Sequence, residues 1–145
     1  MNTLTKLKFE RDVLREEVID CLKRGYNVYR RLSYYLKDEK YTETISYVVV
    51  EDPKNKLLVS LELRYGSVYV YTSHKPSEGE GSGYGLGYLM DEGNDIDILL
   101  KRSIEIYRDK SPRVYRSIED LKQNLSPWLK SKGNIYKPIK LEEVE

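Results

Sequence analysis

Three runs of strand-forming residues lie between Thr44 and Ser73, separated by turn signals, and no other stretch narrows the fold as far. "TISYVVVE" (44–51), "KLLVSLELRY" (56–65) and "SVYVYTS" (67–73) are dense in Val, Leu and Tyr, and the last two alternate. β-Branched and aromatic side chains favour a pleated strand. "DPKN" separates the first two runs, and Gly66-Ser67 suits a two-residue hairpin loop with glycine at its first central position. The expected unit is an antiparallel three-stranded meander.

Helical patterns flank it. Leu7, Leu14, Cys21, Val28 and Tyr35 recur every seven residues, with Leu4, Val18 and Leu32 on the adjoining row, an apolar stripe at helical period. Gly25, after Lys23-Arg24, has the character of a helix C-cap. One kinked helix over about 4–37, or two helices broken near Gly25-Tyr26-Asn27, is predicted. Asn94 or Asp95 can cap a helix to about Arg108, with Ile96, Leu99, Leu100, Ile104 and Tyr107 inward. Ser117 with Asp120 three residues on has the form of a capping box. Ser126-Pro127 opens a further turn that Gly133 closes. The fold class is therefore α+β: a long or kinked N-terminal helix, a three-stranded meander, then two to three C-terminal helices. A single domain over 1–145 is expected, with 76–93 a flexible glycine-rich acidic loop and 134–145 an extended tail.

The chain has 145 residues, enough for one domain to bury a core. No apolar run approaches the roughly 18 residues that cross a bilayer, and the first residues carry acids and no signal-peptide h-region. The single cysteine, Cys21, excludes an internal disulfide and suits a reducing cytoplasm. Few Gln, Met and Cys beside many Lys and Glu suit a thermophilic source. The unusual residue usage, with no alanine and fourteen tyrosines to one phenylalanine, would also suit a virus- or plasmid-borne accessory protein. Net charge is only +1 but unevenly spread. Pro76 to Asp97 holds six acids and no bases, whereas Ile98 to Lys140 holds eleven bases against four acids. Such a chain can show a basic face to a polyanion while remaining nearly neutral.

The tract "EGEGSGYGLG" (78–87) invites comparison with phosphate-binding loops. Both dinucleotide and P-loop fingerprints require glycines five apart. Every glycine from Gly79 to Gly93 falls on an odd number and no lysine follows, so neither motif is present. The tract is expected to be mobile chain, or a loop that orders on a partner through Tyr84, Leu86 and Tyr88.

Catalytic chemistry finds little support. His74 is the only histidine and Cys21 sits on the apolar stripe, so no nucleophile–base pair and no zinc-type ligand spacing exists. No metal site and no cofactor are predicted. The best enzyme candidate is a Mg²⁺-dependent nuclease using Asp52 and Glu62, but Arg64 stands where a base would be needed, and arginine effectively never deprotonates.

The stronger signal is positional. With Gly66-Ser67 as the loop, Tyr65 pairs with Val68, Arg64 with Tyr69, Leu63 with Val70 and Glu62 with Tyr71. Leu61, Leu63, Tyr65, Val68 and Val70 then share a core face, joined by Ile45, Tyr47 and Val49 if the first loop has five residues. The opposite face carries Ser60, Glu62, Arg64, Tyr69, Tyr71 and Ser73, with Lys75 just beyond. Rings beside cations suit unpaired bases, which stack while phosphates meet the charges. Arg30, Arg31 and Tyr34 in "KRGYNVYRRLSYYLK" (23–37), and Arg113 and Arg116 in "RDKSPRVYRS" (108–117), would supplement that contact. Single-stranded DNA or RNA is the expected partner of a small non-catalytic binder. The alternative is a protein-interaction module of regulatory or inhibitory kind, since Tyr and Arg also dominate protein hot spots. The long first helix could pair with a second copy as a homodimer.

Overall fold

Val48 and Val50, Val59 and Leu61, and Val68 and Val70 lie side by side and fully buried along one face of an antiparallel sheet. A computed structural model describes residues 6–32, 44–74, 83–90, 95–107 and 115–145, with side chains throughout except at 72–74, 83–90 and 103–107. The elements in order are α1 (Asp12–Lys23), β1 (Asn27–Arg31), β2 (Tyr47–Asp52), β3 (Leu57–Arg64), β4 (Ser67–His74), β5 (Gly83–Met90), α2 (Ile96–Tyr107), α3 (Ile118–Gln123), α4 (Pro127–Lys130) and β6 (Tyr136–Pro138), closed by a 3₁₀ turn at Leu141–Glu143. The class is α+β, as the sequence pattern predicts. The meander is larger than expected: β1 to β5 run in order, β6 returns beside β1, and the six strands stand β5-β4-β3-β2-β1-β6.

The predicted first helix is too long. Gly25 adopts φ +93° and ends α1. The segment "NVYRR" then pairs with β2 on one side and β6 on the other. Val28 continues the seven-residue apolar spacing, but it is buried as the core-facing residue of a strand. Burial of one valine satisfies either geometry, so the spacing could not separate them.

The β3–β4 turn is centred on Tyr65-Gly66, not Gly66-Ser67. Arg64 pairs with Ser67 and Glu62 with Tyr69. Both turn residues have positive φ, 53° and 78°, the conformation of a type I′ hairpin. The register is thus displaced by two residues from the prediction, which leaves the paired strand side chains on their expected faces but moves Tyr65, expected on the core face, into the exposed turn. The first hairpin differs in the other way. Asp52 pairs with Leu57 across a four-residue loop rather than five, and this single-residue change inverts β2. Val48 and Val50 face the core, whereas Tyr47 and Val49 share the face of Glu62 and Ser60.

Helices α1 and α2 cover the valine face, with Leu14, Val18 and Cys21 and with Ile96, Leu99 and Leu100 buried against the sheet. Cys21 is a core residue as expected, and burial pushes its thiol well above the ordinary range. The predicted N-cap hydrogen bonds are present, and in the Ser117–Asp120 pair the Asp120 carboxylate accepts from the Arg116 N–H at 3.1 Å. Asp95 Oδ1 accepts from the Asp97 N–H at 2.9 Å, Ser117 Oγ from Asp120 at 3.1 Å, and Ser126 Oγ from Leu129 at 3.3 Å with Pro127 in the first turn. On the opposite face, α3 and α4 bring Ile118, Leu121 and Leu129 onto Val49, Leu58, Tyr29 and Tyr136.

Two further expectations are corrected. Residues 83–90 of the predicted flexible loop form β5 against β4, while 75–82 and 91–94 lie outside the described residues. The tail at 134–145 is extended only through β6, and it is built into the fold, since Ile139 and Val144 are buried in the core beneath α1. Among the described residues no helix is long and apolar enough to cross a membrane.

Candidate nucleic-acid interface

The second face of the sheet divides into a roofed end and an aromatic end. At the β1–β6 edge, α3 and α4 press Ile118, Leu121 and Leu129 onto Tyr29, Val49 and Tyr136. Burial pushes the phenols of Tyr29 and Tyr115 up, so both stay neutral in this apolar layer. A buried carboxylate anchors the layer: Glu51 Oε2 accepts from the Ile118 N–H and Oε1 from Asn27 Nδ2, each at 2.8 Å.

At the other end stand Tyr69 and Tyr71 on β4, two residues apart and half-buried. Their ring centroids are 6.2 Å apart at an interplanar angle of 35°. The Arg64 guanidinium carbon lies 5.2 Å from the Tyr71 ring centroid, within cation–π range. Ser60 and Glu62 complete the row on β3, Ser60 Oγ donating to Glu62 Oε2 at 3.0 Å. Glu62 Oε1 meets Arg64 Nη2 at 3.5 Å. The Arg64 side chain is 46% exposed and that of Glu62 only 14%. On the next strand, Gly87 pairs with Tyr71 and presents no side chain beside its ring.

The expected residues divide accordingly. Arg64, Tyr69 and Tyr71 come together on one face. Arg31 shares that face on β1, three strands from β4 and so roughly 14 Å across the sheet. Arg30 does not: it lies on the Val28 face, opposite Lys137. Arg30 stands in β1 rather than in the helix expected over about 4–37. Arg116 is exposed just ahead of α3. Lys75, Tyr34 and Arg113 lie outside the described residues. Tyr84, Leu86 and Tyr88 belong to β5, whose side chains are likewise not described.

The Mg²⁺ set is broken by the topology. Asp52 pairs with Leu57 on the core side, while Glu62 lies on the tyrosine face, so the two carboxylates cannot share an ion. Asp52 is 2% exposed and closes the hairpin loop instead. It accepts from the Lys54 N–H at 3.1 Å, the Asn55 N–H at 3.2 Å and Asn55 Nδ2 at 2.7 Å.

One aromatic residue escaped the sequence argument. Trp128, the only tryptophan, is 53% exposed on α4, with the Lys132 ammonium 5.1 Å from its ring centroid. Tryptophan is usually well buried. The available signal was Trp-x-x-x-Lys after Pro127, a spacing that stacks the two side chains on one helical turn. Lys122 and Lys130 stand on the same layer.

No protein-family model, curated protein or solved structure matches this chain.

Proposed function

We propose that this protein is a small, non-catalytic binder of single-stranded nucleic acid that takes unpaired bases on the tyrosine face of its sheet. The observation that carries the proposal is the paired phenol rings of Tyr69 and Tyr71 with the Arg64 guanidinium over one of them. Bases stack on such rings with little regard for sequence, at about 1–3 kcal/mol each. Cations beside the rings meet the backbone phosphates. The Trp128–Lys132 pair repeats the same chemistry on the helical layer that lies over this face. A strand crossing from β4 toward α4 would meet aromatic groups at both ends, with Arg31 on the same face.

Fluorescence anisotropy of labelled single-stranded oligonucleotides at two salt concentrations tests the proposal. Affinity should fall linearly in log[salt] as counterions are released. The Tyr69→Ala/Tyr71→Ala double variant should lose at least tenfold in affinity while retaining the fold, and titration should quench Trp128. Binding that is unchanged without the two rings, or insensitive to salt, would overturn it.

A further inference from the structure

Tyr47, Glu62 and Tyr69 stand opposite one another in a single row across β2, β3 and β4. Cross-strand partners lie about 5 Å apart on one face, so the Glu62 carboxylate has a phenol on either side. At the end of the sheet where β2 begins and β3 runs on, Tyr47, Glu62 and Arg64 line a cleft of about 330 Å³. That is the low end of the range for small-molecule sites, about 300–1,000 Å³. A smaller depression shares Tyr47 with it and is lined by Arg31 on its far side. A carboxylate is out of place on a face that meets phosphates, since it weakens their attraction. Glu62 is nonetheless held there: its side chain is only 14% exposed, Ser60 Oγ donates to its Oε2 at 3.0 Å, and Arg64 Nη2 lies 3.5 Å from its Oε1. Each ionised oxygen accepts more than one hydrogen bond, so both keep capacity for a ligand.

We infer that Glu62 selects guanine at one position of the bound strand, an inference that rests on the single-strand reading above. Unpaired bases are recognised by stacking on aromatic rings together with hydrogen bonds to their Watson–Crick edges. A guanine stacked on Tyr47 in the cleft turns its ring N–H and its exocyclic amine toward Glu62, one donor for each oxygen. Its phosphate then lies on the side of Arg31. No other common base offers two adjacent donors on that edge. Adenine and cytosine set an unprotonated ring nitrogen beside the amine, and thymine and uracil set one N–H between two carbonyls. Each of these turns lone pairs toward the carboxylate. The residue that costs affinity for the backbone therefore supplies selectivity for one base.

The test titrates the full chain with oligo-dT, and with the same strand carrying one central guanine, inosine or adenine. The guanine strand should bind about tenfold more tightly than oligo-dT, the discrimination expected of a bidentate contact. Inosine lacks the exocyclic amine and should fall to within about threefold of oligo-dT. Adenine, a purine of similar stacking area, should bind about fivefold more weakly than guanine. Glu62→Gln exchanges one acceptor for a donor and should bring the guanine and thymine strands to within about twofold of each other. Oligo-dT offers no donor pair, so on it this variant reports the lost charge alone. The inosine strand probes the same contact in the unaltered protein, which decides the matter even if the variant does not fold. Free GMP separates a base within a strand from a lone nucleotide, and it should compete only at millimolar concentration. Equal affinity for the guanine, inosine and adenine strands, or a guanine preference that survives Glu62→Gln, would overturn the inference and leave salt-dependent stacking in place. Tighter binding of GMP than of the guanine strand would overturn it as well. Failure of every oligonucleotide to bind would overturn both readings together.

Discussion

The Arg64 guanidinium is held between a ring and a carboxylate, 5.2 Å from the Tyr71 centroid and 3.5 Å from Glu62 Oε1. The stacking contact keeps the cation on the face, whereas the carboxylate cancels part of the field it offers to a phosphate. Glu62→Gln should therefore tighten single-stranded oligonucleotide binding severalfold and steepen its salt dependence, because one negative charge leaves the face. Arg64→Gln should weaken binding and flatten the same plot. Paired titrations across a salt series measure both, and weaker binding by Glu62→Gln would show that the carboxylate contributes by positioning Arg64 rather than opposing it.

Glu51 joins two elements distant in sequence. Its oxygens accept from the Ile118 N–H at the start of α3 and from Asn27 Nδ2, in a setting where little water reaches them. Glu51→Ala leaves the buried Ile118 N–H without its acceptor, at about 1–3 kcal/mol, whereas Asn27 is exposed and its amide can turn to water. A loss of about 2 kcal/mol is expected by thermal or urea denaturation. Glu51→Gln keeps an acceptor oxygen and should lose about 1 kcal/mol.

The tyrosine face is legible in the sequence because a strand's period is two, and the displacement of the turn to Tyr65-Gly66 is also two. The orientation of β2 was not legible. It depends on whether four or five residues fill the loop after Asp52, and that is settled by the Asp52 carboxylate gathering the N–H groups of Lys54 and Asn55. "NVYRR" gave no usable alternation, since Val28 alone faces the core and the two arginines follow helical as readily as extended spacing. β5 was hidden by composition: glycine-rich sequence disfavours a strand locally, and only pairing with β4 overrides that preference. Trp128 was missed because a lone tryptophan is more often core than surface.

Tyr65 occupies the left-handed region at φ 53° and is 96% exposed. An aromatic side chain gains nothing there from packing, while Asn and Gly adopt this conformation more readily. Tyr65→Asn creates the Asn-Gly pair favoured in type I′ turns and should raise stability by about 0.5–1 kcal/mol. The corresponding rise in Tm is a few degrees for a chain of this length. An unchanged or lower Tm would show that the ring contributes elsewhere.

Arg24 closes the α1–α2 junction by meeting three carboxylates. Its Nε lies 3.0 Å from Asp20 and its Nη1 2.9 Å from Asp97, and both Nη groups donate to Asp95. The guanidinium, followed by the Asp97 N–H, holds the Asp95 carboxyl below its usual range. A depressed folded-state value means that the unfolded chain takes up the proton first. The stabilisation is therefore complete above the ordinary carboxylate range and lost as pH falls below about 4 through the folded value. The Asp95 side chain is 39% exposed, so solvent screens the pair and its contribution is about 0.5–1 kcal/mol. Arg24→Gln should lower stability at neutral pH by that amount and leave it nearly unchanged at pH 2, so that the two unfolding curves converge in acid. High salt should narrow the gap at neutral pH in the same way. Urea denaturation across pH 2–7 for both proteins measures the convergence, and a difference that persists undiminished in acid would assign the loss to packing of the Arg24 stem instead.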